Sequence, residues 1–564
     1  MSEEESPRVA IGISFGNSYS SIAHTTPEGK AEVIANEEGD RQIPSILSYV
    51  EGEEFQGTQA KAQLVRNSKN TVAYFRDFIG QNFKSIDPTP CHQSAHPIEH
   101  ENTIAFKIKD TEAEEENIVS ISEITTRHIK KLVASASDFL GKPVTAAVVT
   151  VPTNFSDVQK HALKQAAEAA GVEILQFIAE PVAAVLAYDA RSTAEIKDKV
   201  IVVADLGGTR SDVAVIASRG GMYSILATAH DYDFSGSHLD TVLVDHFAKE
   251  FLKKHKSASD PRLNARSLAK LKLESEAVKK ALSLGASANF SVESLSDGLD
   301  FTATVNRSRY DLLASKVFAG FTRLVLGAVG KADLDPLDIA EIVLAGGTSH
   351  TPKIATALQN AFPESTSVLA PATSVTALNP SELAARGAAI QASLVAEFET
   401  EDVEQSTHPV VTVTPHLATA IGVLCLSSNE SQARFSLLVD RATPVPVRRT
   451  KVFPTPREGG DVLVRLVEAV AEIKITAPAP RTKNRDEQDV DGEEESESEE
   501  SEEEEEHREL VWRPTKTIAE AAVRGVKKGG RVEVQVNVGA GLECSLLVRE
   551  VGGKGGVRGE VRGR

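Results

Sequence analysis

Three glycine-containing turns are the features of this chain whose residue types and spacing fit the binding of a phosphorylated ligand. They lie at Gly16 to Ser18, at Gly207 to Thr209 and at Gly346 to Gly347. A tight turn with glycine at the bend exposes backbone N–H groups, which hold phosphate oxygens without help from a side chain. Two such turns that face each other can grip a polyphosphate, and the third glycine pair allows a base or ribose to approach the backbone. Each turn alone is weak evidence, whereas three in this order are much stronger.

The segments that position these turns alternate between strand and helix patterns. Residues 9–14 and 199–205 are apolar and β-branched, as buried strands are, and each leads into a glycine turn and a second strand-like segment. Residues 156–170 are alanine-rich with helical spacing and stop before Gly171. The loose repetition of the strand–turn–strand unit predicts an α/β domain of two similar lobes.

A different pattern begins after about residue 396. The helical spacing ends, and stretches rich in Val follow at 410–415, 435–439, 462–467 and 532–538. They predict a second, all-β domain. Within it, residues 486–506 hold 15 Asp and Glu and no Lys or Arg. A block of like charge cannot bury a core, so we expect a disordered acidic insertion at about 480–508.

The composition argues against several classes of protein. A chain of 564 residues has room for three or four domains of about 150 residues, and no apolar stretch approaches the ~18 residues of a membrane span. The net charge of −20 falls to −5 once the 15 charges of the acidic block are set aside, so strong nucleic-acid binding by the body of the chain is not expected. The acidic first residues favour the cytoplasm over an exported location. Cys91, Cys425 and Cys544 are too far apart to suggest a disulfide framework or a zinc site.

Short motifs give the chain a family resemblance. The most diagnostic lie at 37–45, 148–155, 180–188, 342–354 and 379–380. On these the chain resembles the actin, hexokinase and DnaK-type chaperone ATPase superfamily and, within it, the DnaK-type heat-shock chaperones. The similar parts run from about Val9 to Ile473 and resume near Arg531.

The resemblance implies a fold for each part of the chain. Residues 1–396 would form an α/β actin-like ATPase domain, with a duplicated ribonuclease-H-like topology in two lobes. Residues 397–409 would be an interdomain linker. Residues 410–564 would form a truncated β-sandwich similar to the family's peptide-binding domain, without the helical lid.

The resemblance also implies ATP as the ligand, and it leaves open whether Mg²⁺ accompanies it. Lys280 would cover the base with its aliphatic stem. No catalytic residue and no metal ligand is assigned. The residues expected to bind ATP are Gly16, Asn17, Ser18, Tyr19, Gly207, Gly208, Thr209, Glu276, Lys279, Lys280, Ser283, Gly346, Gly347 and Thr348.

Departures from the family pattern fall on the positions that serve hydrolysis. Phosphoryl transfer needs a positioned water, a metal ion and fixed positive charge. The family carries carboxylates at the positions of Ser14, Ser237 and His238, and a lysine at that of Arg76. Asp77 stands for a basic residue, Thr209 and Ser235 for glycines and Arg210 for a threonine, whereas Glu180, Asp205 and Asp212 are retained. We therefore expect ATP binding with little or no hydrolysis.

Two other activities are alternatives to ATP binding without hydrolysis. An active ATP-hydrolysing foldase of the DnaK type is the main alternative, because the phosphate turns and three carboxylates are kept. A sugar or acetate kinase of the same superfamily is disfavoured by the β-rich domain and the chaperone-like segment at 180–188. Single-turnover ATP hydrolysis separates the first two possibilities.

The second domain carries the expectation about partners. The linker stretch 404–411 lacks the family's leucine run, which argues against nucleotide-driven coupling, and without a lid the strand edges are open to another chain. Such absences resemble the lidless DnaK-type chaperones of fungal ribosome-associated complexes. This implies a stable heterodimer with a zuotin-like J-domain protein, indirect attachment to cytoplasmic ribosomes, and assistance to an active DnaK-type chaperone on nascent polypeptides. The alternative is that partner contacts lie mainly on the ATPase domain.

Overall fold

The structure is a computed structural model. It describes residues 8–111, 115–191, 197–399, 401–402, 415–426, 434–455, 459–476, 507–553 and 556–561. The whole linker stretch 404–411 and nearly all of the predicted acidic insertion lie outside the described residues. The chain divides into two compact units, Met1–Val413 and Thr414–Arg564.

The first unit alternates strands and helices, as its sequence predicts. Its strands are β1 Ala10–Phe15, β2 Tyr19–Thr25, β3 Ala31–Ile34, β4 Ile43–Pro44, β5 Ile46–Val50, β6 Glu53–Gln56, β7 Thr71–Ala73, β8 Pro97–His100, β9 Thr103–Ile108, β10 Asn117–Ser120, β11 Ala146–Val151, β12 Glu173–Ala179, β13 Lys199–Leu206, β14 Ser211–Arg219, β15 Met222–Asp231, β16 Ser287–Ser296, β17 Leu299–Asn306, β18 Glu341–Ala345 and β19 Ser367–Leu369. Its helices are α1 Gly57–Gln63, α2 Ile121–Leu140, α3 Asp157–Ala169, α4 Glu180–Asp189, α5 Gly236–Lys254, α6 Ala265–Leu284, α7 Arg307–Leu313, α8 Ser315–Lys331, α9 Pro352–Ala361 and α10 Leu383–Val395.

Two sheets of this unit share one topology. The first has the order β12-β11-β1-β2-β3 and the second the order β15-β14-β13-β18-β19. In each, three antiparallel strands in sequence are extended by two parallel strands. The strand–turn–strand repeat read from the sequence is therefore confirmed, because β1-β2 and β13-β14 occupy equivalent places in the two sheets.

Two helices join the lobes built on these sheets. Helix α4 packs through Ala184 and Val185 against β13, while α10 packs through Ala388 against β11. The helices cross closely, since a Cβ at Gly387 would lie 1.9 Å from the carbonyl oxygen of Ala183. Each lobe keeps its own apolar core on the other face of its sheet, so the glycine turns at the strand ends are held by two packed layers.

Local sequence explains where the elements begin. Helix α3 starts at a capping box in which Ser156 accepts from the backbone of Gln159 and the Gln159 side chain accepts from the backbone of Ser156. Its apolar face buries Leu163, Ala166 and Ala167 against the first lobe, and Ala residues favour the helix elsewhere. The predicted helix at 156–170 is thus confirmed.

In the described residues of the second unit, all regular secondary structure is β-strand. They are β20 Ala420–Leu426, β21 Arg434–Val439, β22 Val447–Pro454, β23 Gly460–Thr476, β24 His507–Val526, β25 Arg531–Val538, β26 Cys544–Glu550 and β27 Gly556–Val561. Two sheets form, in the orders β21-β20-β23-β24 and β22-β25-β26-β27. The alternation of Val along β25 buries Val532, Val534, Val536 and Val538 in the core between them. A β-rich second unit is what the sequence predicts.

The length and apolar character of the helices bear on whether any of them could cross a membrane. In the described parts of the chain, no helix taken singly is long and apolar enough to cross a bilayer, and α7 with α8 passes only as a pair bent by 66°. Helix α8 buries seven of its residues, among them Phe318 and Phe321, in the core of the second lobe.

Candidate functional site

The structure brings the first two glycine turns into contact. The turn after β1 and the turn after β13 meet where the Asn17 side-chain amide donates to the Thr209 hydroxyl at 3.1 Å. Gly208 lies against Ser18 so closely that a Cβ there would be 2.4 Å from the Ser18 hydroxyl oxygen. The sequence predicts two turns that face each other, and in the structure the two turns meet; we call the space between them the cradle.

Two further loops close this cradle. The Thr348 hydroxyl donates to the carbonyl of Gly207 at 2.9 Å, and the backbone N–H groups of Gly236 and Ser237 donate to the carbonyls of Gly207 and Gly208. Gly346 has a φ of 81°. A Cβ at that position would lie 2.5 Å from the carbonyl oxygen of Leu206. The glycine is therefore needed for the packing of the turn on the end of β13.

The cradle has the properties that a polyphosphate site requires. It is built from glycine backbone and hydroxyl groups, and the buried carbonyl oxygen of the Asn17 side chain has no hydrogen-bond partner in the structure. A buried polar atom without a partner is unusual in a protein interior. The Asn17 oxygen can only accept a hydrogen bond, so a donor would satisfy it and a phosphate oxygen would not. The turns at 16–18 and 207–209 could hold the phosphates of ATP through their backbone N–H groups.

Helix α6 lies on the other side of the cradle and presents Glu276, Lys279, Lys280 and Ser283. The Lys280 ammonium group is 2.8 Å from the Glu276 carboxylate and 2.8 Å from the Tyr19 hydroxyl. Tyr19 in turn donates to Glu276. Lys61 of α1 reaches the same carboxylate at 2.6 Å. Burial alone would raise the pKa of Glu276, but Lys61 and Lys280 hold it well below its usual range.

The remaining predicted residues of α6 are engaged near the same place. Lys279 forms an ion pair of 2.8 Å with Asp240 and donates to the carbonyl of Gly236 at 3.0 Å. The Ser283 hydroxyl donates to the carbonyl of Lys279 one turn earlier. Lys279 thus ties the α6 helix to the loop that closes the cradle.

Arg76 is buried behind the first turn. Its Nη1 lies 3.1 Å from the Glu180 carboxylate and its Nη2 lies 2.7 Å from the Asp77 carboxylate. The same Nη1 faces the carbonyl of Phe15 at 3.4 Å. The guanidinium group is therefore surrounded by two carboxylates and the end of β1.

Arg210 makes a similar arrangement behind the second turn. Its Nε and Nη2 donate to the two oxygens of Asp212 at 2.6 and 2.5 Å. The remaining donors reach the Tyr232 hydroxyl at 3.2 Å and the Asn154 side chain at 3.1 Å. This is a two-bond guanidinium–carboxylate pair, the strongest common geometry for such groups.

The carboxylates of this region influence one another. Burial, together with the nearby charges of Glu180 and Asp212, raises the pKa of Asp205 to about 8 against the opposing effect of Arg76. Burial also raises the pKa of Glu180, which Arg76 opposes. Asp205 is therefore largely protonated at neutral pH.

The side chains around the cradle also determine whether a metal ion could bind beside ATP. Across the described residues, no three Asp, Glu, His or Cys side chains are arranged to hold a metal. Three carboxylates near the phosphate cradle, Asp77, Glu180 and Asp212, are paired with arginine. Mg²⁺ prefers oxygen ligands and water in octahedral geometry, and this donor set does not fit it.

A buried histidine supports the first turn from behind. His128 of α2 contacts the Ser20 hydroxyl at 3.0 Å, Ser20 contacts Ser45, and Ser45 donates to the carbonyl of Gly16 at 2.7 Å. Burial lowers the pKa of His128 to about 4. The neutral ring therefore belongs to a hydrogen-bonded chain that ends at a residue of the cradle.

Sequence reasoning missed several contributors to the site. It named Arg210 and Asp212 without pairing them, although residues i and i+2 around the start of a strand share a face. Lys61 and His128 carried no local signal, because their partners are distant in sequence. Asn154 lies in the diagnostic motif at 148–155, which was used only for the family resemblance.

Comparison with known families decides the class of the protein. The family model described as "Hsp70 protein" matches residues 10–458. The chain belongs to the Hsp70 family. The predicted relationship to the DnaK-type, or Hsp70, chaperones is thereby confirmed, and the mixed α/β unit followed by a β-rich unit agrees with it.

Individual relatives in the Hsp70 family cover most of the chain. "Ribosome-associated complex subunit SSZ1" of Saccharomyces cerevisiae is 46% identical over 458 residues, which are 81% of this chain and 83% of that protein. "Heat shock protein 70 homolog C57A7.12" of Schizosaccharomyces pombe is 44% identical over 482 residues, 84% of this chain and 83% of that protein. "Heat shock 70 kDa protein 14" of Homo sapiens is 33% identical over 468 residues, 82% of this chain and 87% of that protein.

Proposed function

We propose that this chain is an atypical Hsp70-family chaperone subunit that binds ATP with little or no hydrolysis. In this role it forms a stable heterodimer with a ribosome-bound, zuotin-like J-domain protein in the cytoplasm. The heterodimer assists an active DnaK-type chaperone in folding nascent chains during translation. The β-rich unit acts as a docking surface for this partner.

The pairing of Arg76 and Arg210 with carboxylates is the observation that supports the absence of hydrolysis. Asp212 has both oxygens engaged by Arg210, and Glu180 and Asp77 are engaged by Arg76. Carboxylate oxygens held in such pairs already accept from guanidinium N–H groups, which leaves fewer of them free to orient an attacking water. Losing one such electrostatic contribution costs about 3 kcal/mol in a transition state, although members of one unit do not add.

Retention of the cradle supports binding. The turns at 16–18, 207–209 and 346–348 remain joined by hydrogen bonds, and ATP would sit with its phosphates on the first two. Binding relies on backbone groups that no side-chain replacement removes. In this family ATP supplies the phosphoanhydride that hydrolysis would break, and here its role is that of a structural ligand.

Similarity to the yeast protein supports the assignment to a ribosome-associated complex. That relative carries the name of such a complex and is 46% identical over four fifths of this chain. A J-domain partner and attachment to ribosomes follow from the resemblance stated for the sequence. An active ATP-driven foldase remains the competing function, favoured by the retained Glu180, Asp205 and Asp212.

A single-turnover experiment separates the two functions. The purified full-length chain is mixed with less than one equivalent of labelled ATP, with and without a J-domain fragment, and an active Hsp70 chaperone is run in parallel. We expect ATP to be bound and recovered intact in both samples. Hydrolysis at the rate of the parallel chaperone, accelerated by the J-domain, would contradict the proposal and establish the active foldase.

The complex is tested separately in native lysate. We expect the tagged chain to co-purify with a J-domain protein, identified by mass spectrometry, in near-equal amounts and with ribosomal subunits. Washing with ATP should not release the J-domain protein, because the association does not depend on a nucleotide cycle. Recovery without any J-domain protein would refute the heterodimer.

A further inference from the structure

Three carboxylates near the phosphate cradle are paired with buried arginines. Arg210 takes both oxygens of Asp212, and Arg76 takes one oxygen each of Asp77 and Glu180. Arg76 and Arg210 are 5% and 6% exposed, so neither guanidinium group can turn out into solvent without rearrangement. A magnesium ion or its coordinated waters would have to displace these pairs.

Three positions at the cradle where the family carries carboxylates hold none here. Ser14 is the residue before the end of β1, and Ser237 and His238 lie in the first turn of α5. The side chains of Ser237 and His238 both contact the Ser235 hydroxyl at 3.0 Å. These hydroxyl and imidazole groups do not replace a carboxylate, which Mg²⁺ prefers as a ligand.

The charges behind the turns also disfavour the binding of a divalent cation. Arginine stays protonated at any physiological pH, so the region behind the turns holds two permanent positive charges. Burial and the adjacent Glu180 and Asp212 carboxylates raise the pKa of Asp205 to about 8, which removes one of the opposing negative charges. A divalent cation entering here would compete with two permanent cations for carboxylates that they already hold, Asp77, Glu180 and Asp212.

We propose that this site binds ATP as the metal-free nucleotide, with Arg76 and Arg210 occupying the carboxylates that would otherwise hold a divalent cation. The inference rests on the proposed function, because it concerns the form in which ATP is held. The arginines neutralise carboxylates that would otherwise repel the phosphates, while the N–H groups of the turns contact the phosphates themselves. ATP binding is therefore insensitive to chelators.

The decisive measurement compares ATP affinity with and without available metal. Full-length protein, stripped of nucleotide, is titrated with ATP by calorimetry in magnesium buffer and in excess EDTA, and an active Hsp70 chaperone serves as reference. We expect the two dissociation constants to agree within about threefold. Binding in magnesium with a loss of tenfold or more in EDTA would overturn this inference alone. Absence of binding in both buffers would overturn the proposed function together with it.

Metal content gives a second readout that does not depend on affinity. The ATP complex formed in magnesium buffer is passed through a desalting column and analysed for magnesium and for ATP. We expect well below one magnesium per ATP, about a tenth or less. One magnesium retained per ATP, as a tightly held complex gives, would contradict the proposal.

A substitution tests the role of Arg210 directly. Arg210→Thr frees the Asp212 carboxylate, so ATP affinity should fall about tenfold in EDTA and recover with magnesium. Arg262→Thr is the matched control, because Arg262 makes the same two-bond pair with Asp260 away from the cradle. We expect its affinity to match the unsubstituted protein in both buffers. If Arg210→Thr folds and binds ATP equally well in both, Arg210 does not replace the cation; if it fails to fold, the unsubstituted protein still decides.

Discussion

The Lys61 ammonium group lies 2.6 Å from the Glu276 carboxylate and joins α1 of the first lobe to α6 of the second. Tyr19, which follows the first phosphate turn, accepts from Lys61 and donates to the same carboxylate. The contact links the two lobes over the side of the cradle where ATP would lie. Its strength should therefore influence how fast a nucleotide leaves.

Breaking this link should accelerate nucleotide release. Lys61→Met removes a charged hydrogen bond at a site where both side chains are 19% exposed, and such bonds contribute about 1.5–3 kcal/mol. We expect a fluorescent ATP analogue to dissociate about tenfold faster in stopped-flow measurements. Lys107→Met is the control, since its pair with Glu116 is on the surface and worth little. Equal release rates for both variants would show that the link does not hold the lobes.

A second prediction concerns the glycine at the third turn. Gly346→Ala forces a positive φ on alanine and places its Cβ 2.5 Å from the carbonyl oxygen of Leu206. We expect the free energy of unfolding of the first unit to fall by about 2–4 kcal/mol and ATP-dependent stabilisation to be lost. Gly327→Ala in α8 is the matched control, because nothing lies within 4 Å of its Cβ and alanine favours a helix. A Gly346→Ala protein that melts and binds ATP normally would contradict the packing argument.

These two sites show what sequence can and cannot give. The turn at Gly346 was predicted because a glycine pair after an apolar strand is a local pattern. Its actual cause, the approach of Leu206 140 positions earlier, is visible only when β13 and β18 are neighbours in a sheet. Lys61 had no signal, since its partner is 215 residues away. Local patterns predicted the elements and turns, and the pairings depended on tertiary packing.

The arginine pairs illustrate the same limit on chemistry. Comparison with the family pattern singled out Arg76 and Arg210 as replacements, which predicted altered hydrolysis. It did not predict that Arg210 would take both oxygens of Asp212, because a side chain at that position has several possible rotamers. The electrostatic consequences for Asp205 and Glu180 follow from burial, which no residue type alone specifies.

A third prediction is that ATP stabilises the folded chain. A ligand present at 100 times its dissociation constant adds about 2.7 kcal/mol to the free energy of unfolding. We expect the melting temperature of the first unit, followed by calorimetry, to rise when ATP is added. AMP, which lacks the phosphates that the turns would hold, should produce a smaller rise. A melting temperature that does not change when ATP is added would refute a structural role for the nucleotide.

A fourth prediction concerns acid. Burial lowers the pKa of His128 in the folded state to about 4, against about 6.5 when unfolded. Between these values the unfolded chain binds the proton and the folded chain does not, so stability falls as pH drops from about 6.5 to 4 and His128 adds no further loss below that. The full effect is about 3 kcal/mol. His128→Gln should lose this part of the pH dependence of the unfolding free energy.

The control for acid lies on another helix. His161 of α3 is exposed, so His161→Gln should leave the pH dependence of stability as it is in the unsubstituted protein. Carboxylates that titrate in the same range affect all three proteins alike and cancel in the comparison. If the unfolding free energy of His128→Gln depends on pH as that of the unsubstituted protein does, the His128 ring takes up its proton in the folded state as it does in the unfolded state.

The last prediction places the main docking surface for the J-domain partner on the second unit. Strands β23 and β24 extend beyond their sheet: residues 470–476 pair with 507–513 and, among the described strands, with no other. This two-stranded ribbon leaves both backbone edges open and exposes Val470, Ile475 and Val511. An extended partner segment could pair with such an edge. Its alternating side chains could cover Val470 and Val511 on one face of the ribbon and Ile475 on the other.

Two deletions test this surface. Removing 414–564 should abolish binding of the J-domain protein in a calorimetric titration, provided that the remaining unit still gains melting temperature with ATP. Removing only 486–506 should change the affinity less than threefold, because charges in water are screened over about 8 Å at physiological salt. Undiminished binding by the truncated chain would place the partner on the first unit instead. A large loss from the shorter deletion would mean that the acidic segment, rather than the open edge, attracts the partner.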